Sequence, residues 1–493
     1  MLDRLMRRGP DGEGRRQLGH AWLGHRRLAI SDVEGGEQPL HEPERDLWLV
    51  GDGEIYNHDR LRSELQARGH GFRTGSEHET ALHFLADQGP DALERLWGRF
   101  VFVLAGEDGR FLACRDTLGI APLYWTPDAD TMVFASELKA FDPARCSQVK
   151  PFPPGHYWTP GTGLVAFQSL RDVQPETSLP AGGEADDESQ PSEKVLASIR
   201  DRLITAVQRC MVREVPVGTL LSGGLDSSIV TAIAARVAER HGRQLPTFSG
   251  GLADSDDLAA ARHLASSLGT EHHERIYTED ELIDWVVEVV GVIESFDPQL
   301  VHSSVPNLLV NKLASRHVKV VLIGEGADEL FAGYHHYGEV ESAQELHDRL
   351  VATLKGLHAG GMHRVDRIAA ACSLEARIPY LDIEVVGLAM GLPAQWKLTT
   401  ERPEKWLLRQ AFEGWLPDEL LWRDKAQFGQ GSGARDVLRE HYENTVTPEE
   451  FERERDAIEP PLRTREELAY FRMFERHFRG IDPAVVLDRF VQA

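Results

Sequence analysis

Residues 218–242 read GTLLSGGLDSSIVTAIAARVAERHG, with seven glycines and serines set around a single aspartate. Val215 to Leu221 is an apolar run that reads as a buried strand, and Ser227 to His241 has the spacing of an amphipathic helix. Between them lies Ser222-Gly223-Gly224-Leu225-Asp226. A strand, a glycine turn and a helix leave free backbone N–H groups and a positive helix end at the C-terminal edge of a sheet, an arrangement that binds phosphate. Ser227 and Ser228 add hydroxyl donors. Asp226 repels anions, so its place in such a turn makes sense if Mg²⁺ lies between it and the phosphates. The plainer alternative is a tight strand–helix turn capped by Ser or Asp. The turn lacks the lysine of GxxxxGK[ST] and is therefore not a Walker loop.

A second unit of the same kind follows at 320–334, VVLIGEGADELFAGY. The apolar run Val320 to Ile323 ends at Gly324-Glu325-Gly326-Ala327-Asp328-Glu329, where glycines again permit close approach and Asp328 offers a second carboxylate to Mg²⁺. Its alternative is an acidic first helical turn complementing the helix dipole.

The chain around these turns has 493 residues, which predicts two or three domains rather than one core. Its formal charge of −25 disfavours nucleic acid and anionic membrane as broad partners. The four cysteines, Cys114, Cys146, Cys210 and Cys372, are scattered and form neither a disulfide framework nor a zinc motif. The start, MLDRLMRRGP, is too polar for a signal peptide, and no apolar run reaches the roughly 18 residues of a membrane span. A cytoplasmic protein is expected. Residues 1–168 carry short alternating runs with helical stretches at about 58–68 and 76–87, which predicts sheet packed with helices. Residues 169–193, rich in Pro, Gly, Ser and acid, read as a linker. From 194 to 493 apolar strands alternate with helices, the pattern of a parallel sheet with crossover helices.

SGGLDSS resembles the pyrophosphate-binding loop (PP-loop) of ATP pyrophosphatases. The chain as a whole resembles the glutamine-hydrolysing asparagine synthetases, through SGGLDSS (222–228), GEGADELFAGY (324–334), EARIPYLD (375–382) and WRDKAQF (422–428). RRGPDG (7–12), HRRLAI (25–30), GEIYN (53–57), TGSEHE (74–79), CRDTLGIAPLY (114–124) and ASELKA (135–140) match that family's N-terminal half. The resemblance implies an N-terminal Ntn-hydrolase-like α/β sandwich and a C-terminal ATP-pyrophosphatase domain. It implies a ligase that activates a carboxylate as an acyl-adenylate, releases pyrophosphate and passes the acyl group to ammonia or an amine, with ATP and Mg²⁺ as cofactors. Carried over position by position, Leu220, Ser222, Gly223, Gly224, Asp226, Ser227, Ser228, Gly250 and Gly324 bind ATP, and Asp226 and Asp328 hold the metal. Lys425 neutralises charge on the phosphates, while Glu325 and Glu375 accept the attacking nitrogen's proton. Either glutamate has a second reading, as a structural ion-pair partner of a residue such as Arg377. Glu325 stands where the related β-lactam synthetases carry Tyr, which favours intermolecular amide formation over ring closure.

Three departures change the expected chemistry. The family's glutaminase nucleophile is an N-terminal cysteine, but residue 2 is Leu2 and only eight residues precede Gly9. The nucleophile and the first strand of the sandwich are expected to be missing, unless the start codon is misassigned. Asp52 replaces the asparagine that donates to the oxyanion, and one such donor is usually worth a few kcal/mol. Glu77 replaces the aspartate that grips glutamine's ammonium. With the matching Arg27, Gly53 and Glu54 they form a vestigial glutamine site, and Cys114 reads as a buried structural thiol. In the stretch 299–305, QLVHSSV, Gln299, Leu300, His302 and Val305 replace the threonines and arginine of a family loop that contacts aspartate, so the acid need not be aspartate. His302 is a candidate ligand for another substrate or a structural histidine. The expected partners are a small carboxylic acid with ammonia or an amine, with a homodimer left open. A misread glutamine-dependent asparagine synthetase, a ligase using an organic amine and a non-catalytic scaffold remain as rivals.

Overall fold

The computed structural model describes residues 1–128, 130–142, 148–170, 191–211, 214–398, 402–424 and 431–483. In the N-terminal part β1 (Gly12–Leu18) and β2 (Ala21–Arg27) form an antiparallel hairpin. β3 (Leu40–Glu42), β4 (Leu47–Ile55), β5 (Gly98–Gly106) and β6 (Phe111–Arg115) enter a six-stranded antiparallel sheet. β7 (Tyr124–Asp128), β8 (Thr131–Ala135) and β9 (Lys150–Pro151) make a small sheet of order β8-β7-β9. β10 (His156–Thr159) and β11 (Gly163–Ala166) then complete the large sheet in the order β11-β10-β6-β5-β4-β3.

Strand alternation decides what covers each face of this sheet. Leu49, Phe100, Phe102 and Leu104 point to α1 (His58–Ala67) and α2 (Glu77–Gln88), packing on Leu61, Leu65 and Phe84. Val50 and Ala105 point the other way and pack on Leu18 and Leu23 of the hairpin. The result is the α/β sandwich expected from the sequence, with helices at 58–67 and 77–88.

α3 (Glu193–Met211) opens the second part and buries Val195, Ile199, Leu203, Ala206 and Cys210, a stripe of helical period. A five-stranded parallel sheet follows, built from β12 (Val217–Leu220), β13 (Pro246–Gly251), β14 (Glu271–Ile276), β15 (Val320–Leu322) and β16 (Glu375–Arg377). The helices between strands are α4 (Leu225–Arg240), α5 (Asp256–Leu268), α6 (Glu279–Ile293), α7 (Pro298–Ala314), α8 (Ala327–Phe331), α9 (Ala343–Gly356) and α10 (Gly361–Ala371). Beyond the sheet come α11 (Ile383–Gly391), α12 (Ala394–Lys397), α13 (Trp406–Ala411), α14 (Asp418–Leu421), α15 (Ala434–Thr445), α16 (Pro448–Glu454) and α17 (Arg465–His477).

The strand order is β14-β13-β12-β15-β16. After β12 the chain steps to one side through β13 and β14, then returns to the other side through β15 and β16. The reversal opens a crevice at the C-terminal ends of β12 and β15, the place where open parallel sheets bind ligands. One apolar core runs from Leu118, Tyr124 and Phe141 of the N-terminal part into Val230, Val290 and Leu322 of the second. No described helix is long and apolar enough to cross a membrane.

Candidate active site

The two glycine turns meet in the crevice. β12 ends at Leu220, and α4 starts at Leu225, two residues earlier than the apolar periodicity predicts, so Asp226 and Ser227 sit in its first turn with Gly224 as the N-cap. Gly223 has φ +80°, and a Cβ there would lie 2.5 Å from the Asp257 carbonyl oxygen, so only glycine fits. The Ser227 hydroxyl donates to the Gly224 carbonyl at 3.1 Å and accepts from the Ser222 N–H at 3.2 Å, which fixes the turn. From the other strand Gly324 comes so close that a Cβ would stand 2.6 Å from the Ser227 nitrogen. Gly326, φ +93°, then turns the chain into α8, with Asp328 in its first turn.

Both acids reach one cation. Lys405 Nζ lies 2.5 Å from Asp226 Oδ2 and 2.7 Å from Asp328 Oδ1. The lysine side chain is buried; burial lowers its pKa, but the two carboxylates outweigh that and hold it above the ordinary range. Gly333 gives it room, since a Cβ there would overlap Lys405 Cε and Asp328 Oδ1. Two carboxylates converging on one positive charge form an oxygen donor set that fits Mg²⁺. Next to them Glu329 is buried, accepts from the Tyr334 hydroxyl at 2.6 Å, and is pushed up to about 7 by burial and by the charge of Asp328.

A cavity of about 460 Å³ opens over these turns. Leu220, Ser222, Gly224, Asp226, Ser227, Gly250 and Gly324 line it, as does Asp328. Gly223 and Ser228 do not: Gly223 is turned against α5, and Ser228 is buried in α4. Glu325 lines the cavity and is in contact with Arg364 of α10, whose own pKa burial lowers to about 10. Residues 299–305 are helical rather than a loop, because Asp297 caps α7 by accepting from the Gln299 N–H at 2.9 Å and Pro298 sits at the first position. Gln299, Leu300 and His302 face the cavity, while Val305 is buried in the core. His302 Nε2 lies 2.5 Å from Glu466 Oε1, and that oxygen also accepts from Tyr470 at 2.8 Å.

A second cavity, of about 1050 Å³, lies between the hairpin, the large sheet and β16. Arg27, Asp52, Gly53, Glu54 and Glu77 line it together. Arg27 donates to the carbonyls of Asp32 (2.6 Å) and Val33 (3.1 Å). Asp52 Oδ2 is 2.6 Å from Arg8 Nη2, and the same guanidinium binds Asp366 at 2.8 Å and Glu137 at 3.0 Å. Burial raises the Asp52 pKa, but Arg8 and Arg99 more than reverse this and hold the carboxyl well below the usual range. Glu77 is pushed up to about 8 by burial. Glu54 is in contact with Arg377.

Glu375 belongs to this second cavity, against the expectation that it serves the nucleotide side. Its carboxylate lies 3.0 Å from Arg99 and 2.7 Å from Arg377, the ion-pair reading. Glu375, Ala376 and Arg377 all line the second cavity, and of the three only Ala376 also reaches the nucleotide-side one. Lys425 lies outside the described residues.

Comparison with known proteins follows the same division of the chain. Residues 198–351 and 338–479 match the family described as asparagine synthase. A protein of Dictyostelium discoideum named probable asparagine synthetase [glutamine-hydrolyzing] is 37% identical, covering 100% of this chain and 92% of the relative. The chain belongs to the asparagine synthase family. It is accordingly an ATP-dependent, amide-forming carbon–nitrogen ligase. Residues 1–157 match the glutamine amidotransferase domain. Asparagine synthetase [glutamine-hydrolyzing] 3 of Arabidopsis thaliana is 37% identical over 90% of this chain and 78% of its own length. The Sandersonia aurantiaca asparagine synthetase [glutamine-hydrolyzing] is 37% identical over 97% and 92%.

Within this asparagine synthase fold the sequence motifs find the two turns and His302 but miss Lys405, Arg364 and the Glu466 and Tyr470 behind His302. Lys405 has a backbone signature, φ +56°, that no sequence pattern around RPEKW announces. Cys114 is buried as expected, and burial pushes its thiol far above the ordinary range.

Proposed function

We propose that the chain activates a small carboxylic acid with ATP as an acyl-adenylate and transfers the acyl group to ammonia, without hydrolysing glutamine. The observation that carries the ligase half is the convergence of Asp226 and Asp328 on one cation between two abutting glycine turns. Mg²⁺ held there supplies charge neutralisation for the triphosphate. The Ser222–Ser227 turn offers N–H and hydroxyl donors to the leaving pyrophosphate, and Lys405 keeps the two carboxylates from repelling it. Glu325 faces the same cavity and is the group best placed to take the proton of the attacking nitrogen, with Arg364 in contact with its carboxylate.

The Asp52–Arg8 ion pair supports the absence of glutaminase action. An ionised carboxylate where an oxyanion must form opposes that charge, and Arg8 keeps it ionised. The relatives' names make aspartate the first acid to test. A second reading, an acid without a second carboxylate, is favoured by Glu466 behind His302 on the cavity wall.

The test is pyrophosphate release over aspartate and a panel of monocarboxylic acids, with ammonium and glutamine compared as nitrogen donors. Ammonium-dependent release that Asp226→Ala abolishes is expected. Release of glutamate from glutamine overturns the nitrogen assignment. Release no higher than that of Asp226→Ala with every acid overturns the ligase reading.

A further inference from the structure

At the opposite edge of the parallel sheet from the nucleotide turns, Glu271, His273 and His317 bring one ligand atom each to within 4.8 Å of one another. Glu271 and His273 share a face of β14 because they are two residues apart. β14 begins at Glu271, and His317 lies three residues before β15, so both belong to the N-terminal edge of the sheet. His273 Nε2 is 3.1 Å from Glu271 Oε1, and the two imidazole centroids are 4.0 Å apart. Phe248, fully buried, stacks under His273 at 5.4 Å and reaches His317 at 5.7 Å. Phe248 is itself wedged: a Cβ on Gly218 would lie 2.8 Å from its ring. The rings are therefore held side by side before any ion arrives, and Glu271 and His317 are open to solvent.

We propose that Glu271, His273 and His317 form a transition-metal site for a divalent ion of the Zn²⁺ type, separate from the Mg²⁺ site implied by the family. Two imidazoles and one carboxylate select Zn²⁺ and its neighbours over Mg²⁺, which prefers oxygen alone. Three protein ligands leave a position for water. The bound ion ties β14 to the segment that follows α7, the helix that carries Gln299 and His302 into the nucleotide-side cavity.

The test is Zn²⁺ titration of the full chain, freed of metal by chelation and held in excess Mg²⁺, against a chromogenic competitor. Wild type takes up one Zn²⁺ that His273→Ala/His317→Ala loses; each single substitution weakens uptake by at least about 10-fold, the lower end of the cost of disturbing a metal's surroundings. His272→Ala, on the other face of β14, binds as wild type. Should the double variant fold poorly, the exposed His317→Gln carries the comparison, with Zn²⁺ raising the melting temperature of wild type but not of His317→Gln. Equal uptake by wild type and the His317 variants overturns the site.

Discussion

The backbone of Gly324 lies against Asp226 so closely that a Cβ added to the glycine would stand 2.9 Å from the aspartate's own Cβ. Gly324→Ala must therefore push β15 away from the first turn of α4. Overpacking of this kind costs about 1–3 kcal/mol of stability. The larger effect falls on catalysis, because Asp226 and Asp328 no longer share a cation. Pyrophosphate release by Gly324→Ala is expected to drop by on the order of 100-fold, the scale of losing one preorganised charge contact. A variant that melts lower but turns over normally would show that the contact is packing alone.

Lys405 holds two carboxylates that otherwise repel each other. Lys405→Met takes the shared cation from two half-buried acids and destabilises the chain by about 1–3 kcal/mol, below the cost of breaking a fully buried pair. Mg²⁺ can replace the lost charge, so it should raise the melting temperature of Lys405→Met more than that of wild type. Equal shifts in the two proteins would mean that the carboxylates do not hold the metal.

Arg8 serves three acids at once: Asp52, Glu137 and Asp366. Arg8→Ala should lower stability by about 3–5 kcal/mol, measured by denaturant unfolding. Asp52→Asn keeps two of the three partners and should cost clearly less. A double-mutant cycle between the two positions isolates their coupling, and additive effects would argue against a shared network.

Glu77 carries a pH signature. Burial raises its pKa from 4.5 in the unfolded chain to about 8 in the folded one, so the folded state holds an extra proton between those values. That contribution to stability is complete below pH 4.5 and is lost as pH rises toward 8. Wild type should lose melting temperature across pH 5–8 relative to Glu77→Gln. Parallel curves for the two proteins would contradict the buried neutral acid.

The parts of this site visible in the sequence are those whose signal is local. Glycine, serine and acid at a strand end must lie within a few residues of one another, so Ser222 to Asp226 and Gly324 to Asp328 announce themselves. Lys405 reaches Asp226 from 179 positions away, and Glu466 reaches His302 from 164; such pairs exist only through the fold. Glu375 takes the ion-pair side of its two readings, with Arg99 and Arg377. A motif fixes its place in the chain but not which cavity its side chain lines, and the fold puts Glu375 on the second one. The helical state of 299–305 followed from Asp297 and Pro298, cap signals that an alignment to a loop motif overlooks.

Helix α10 has an end in each chamber's business. Arg364 touches Glu325 beside the nucleotide turns, Asp366 takes two hydrogen bonds from Arg8, and Arg367 donates to Glu294 at 2.9 Å. A protease cut between the two parts of the chain should therefore leave fragments that migrate together, since parting them takes Arg8 from Asp366 and Arg99 from Glu375. By the same linkage, Asp52 is joined through Arg8 and Asp366 to the helix whose Arg364 touches Glu325, so the front chamber and the ligase cavity share one rigid element.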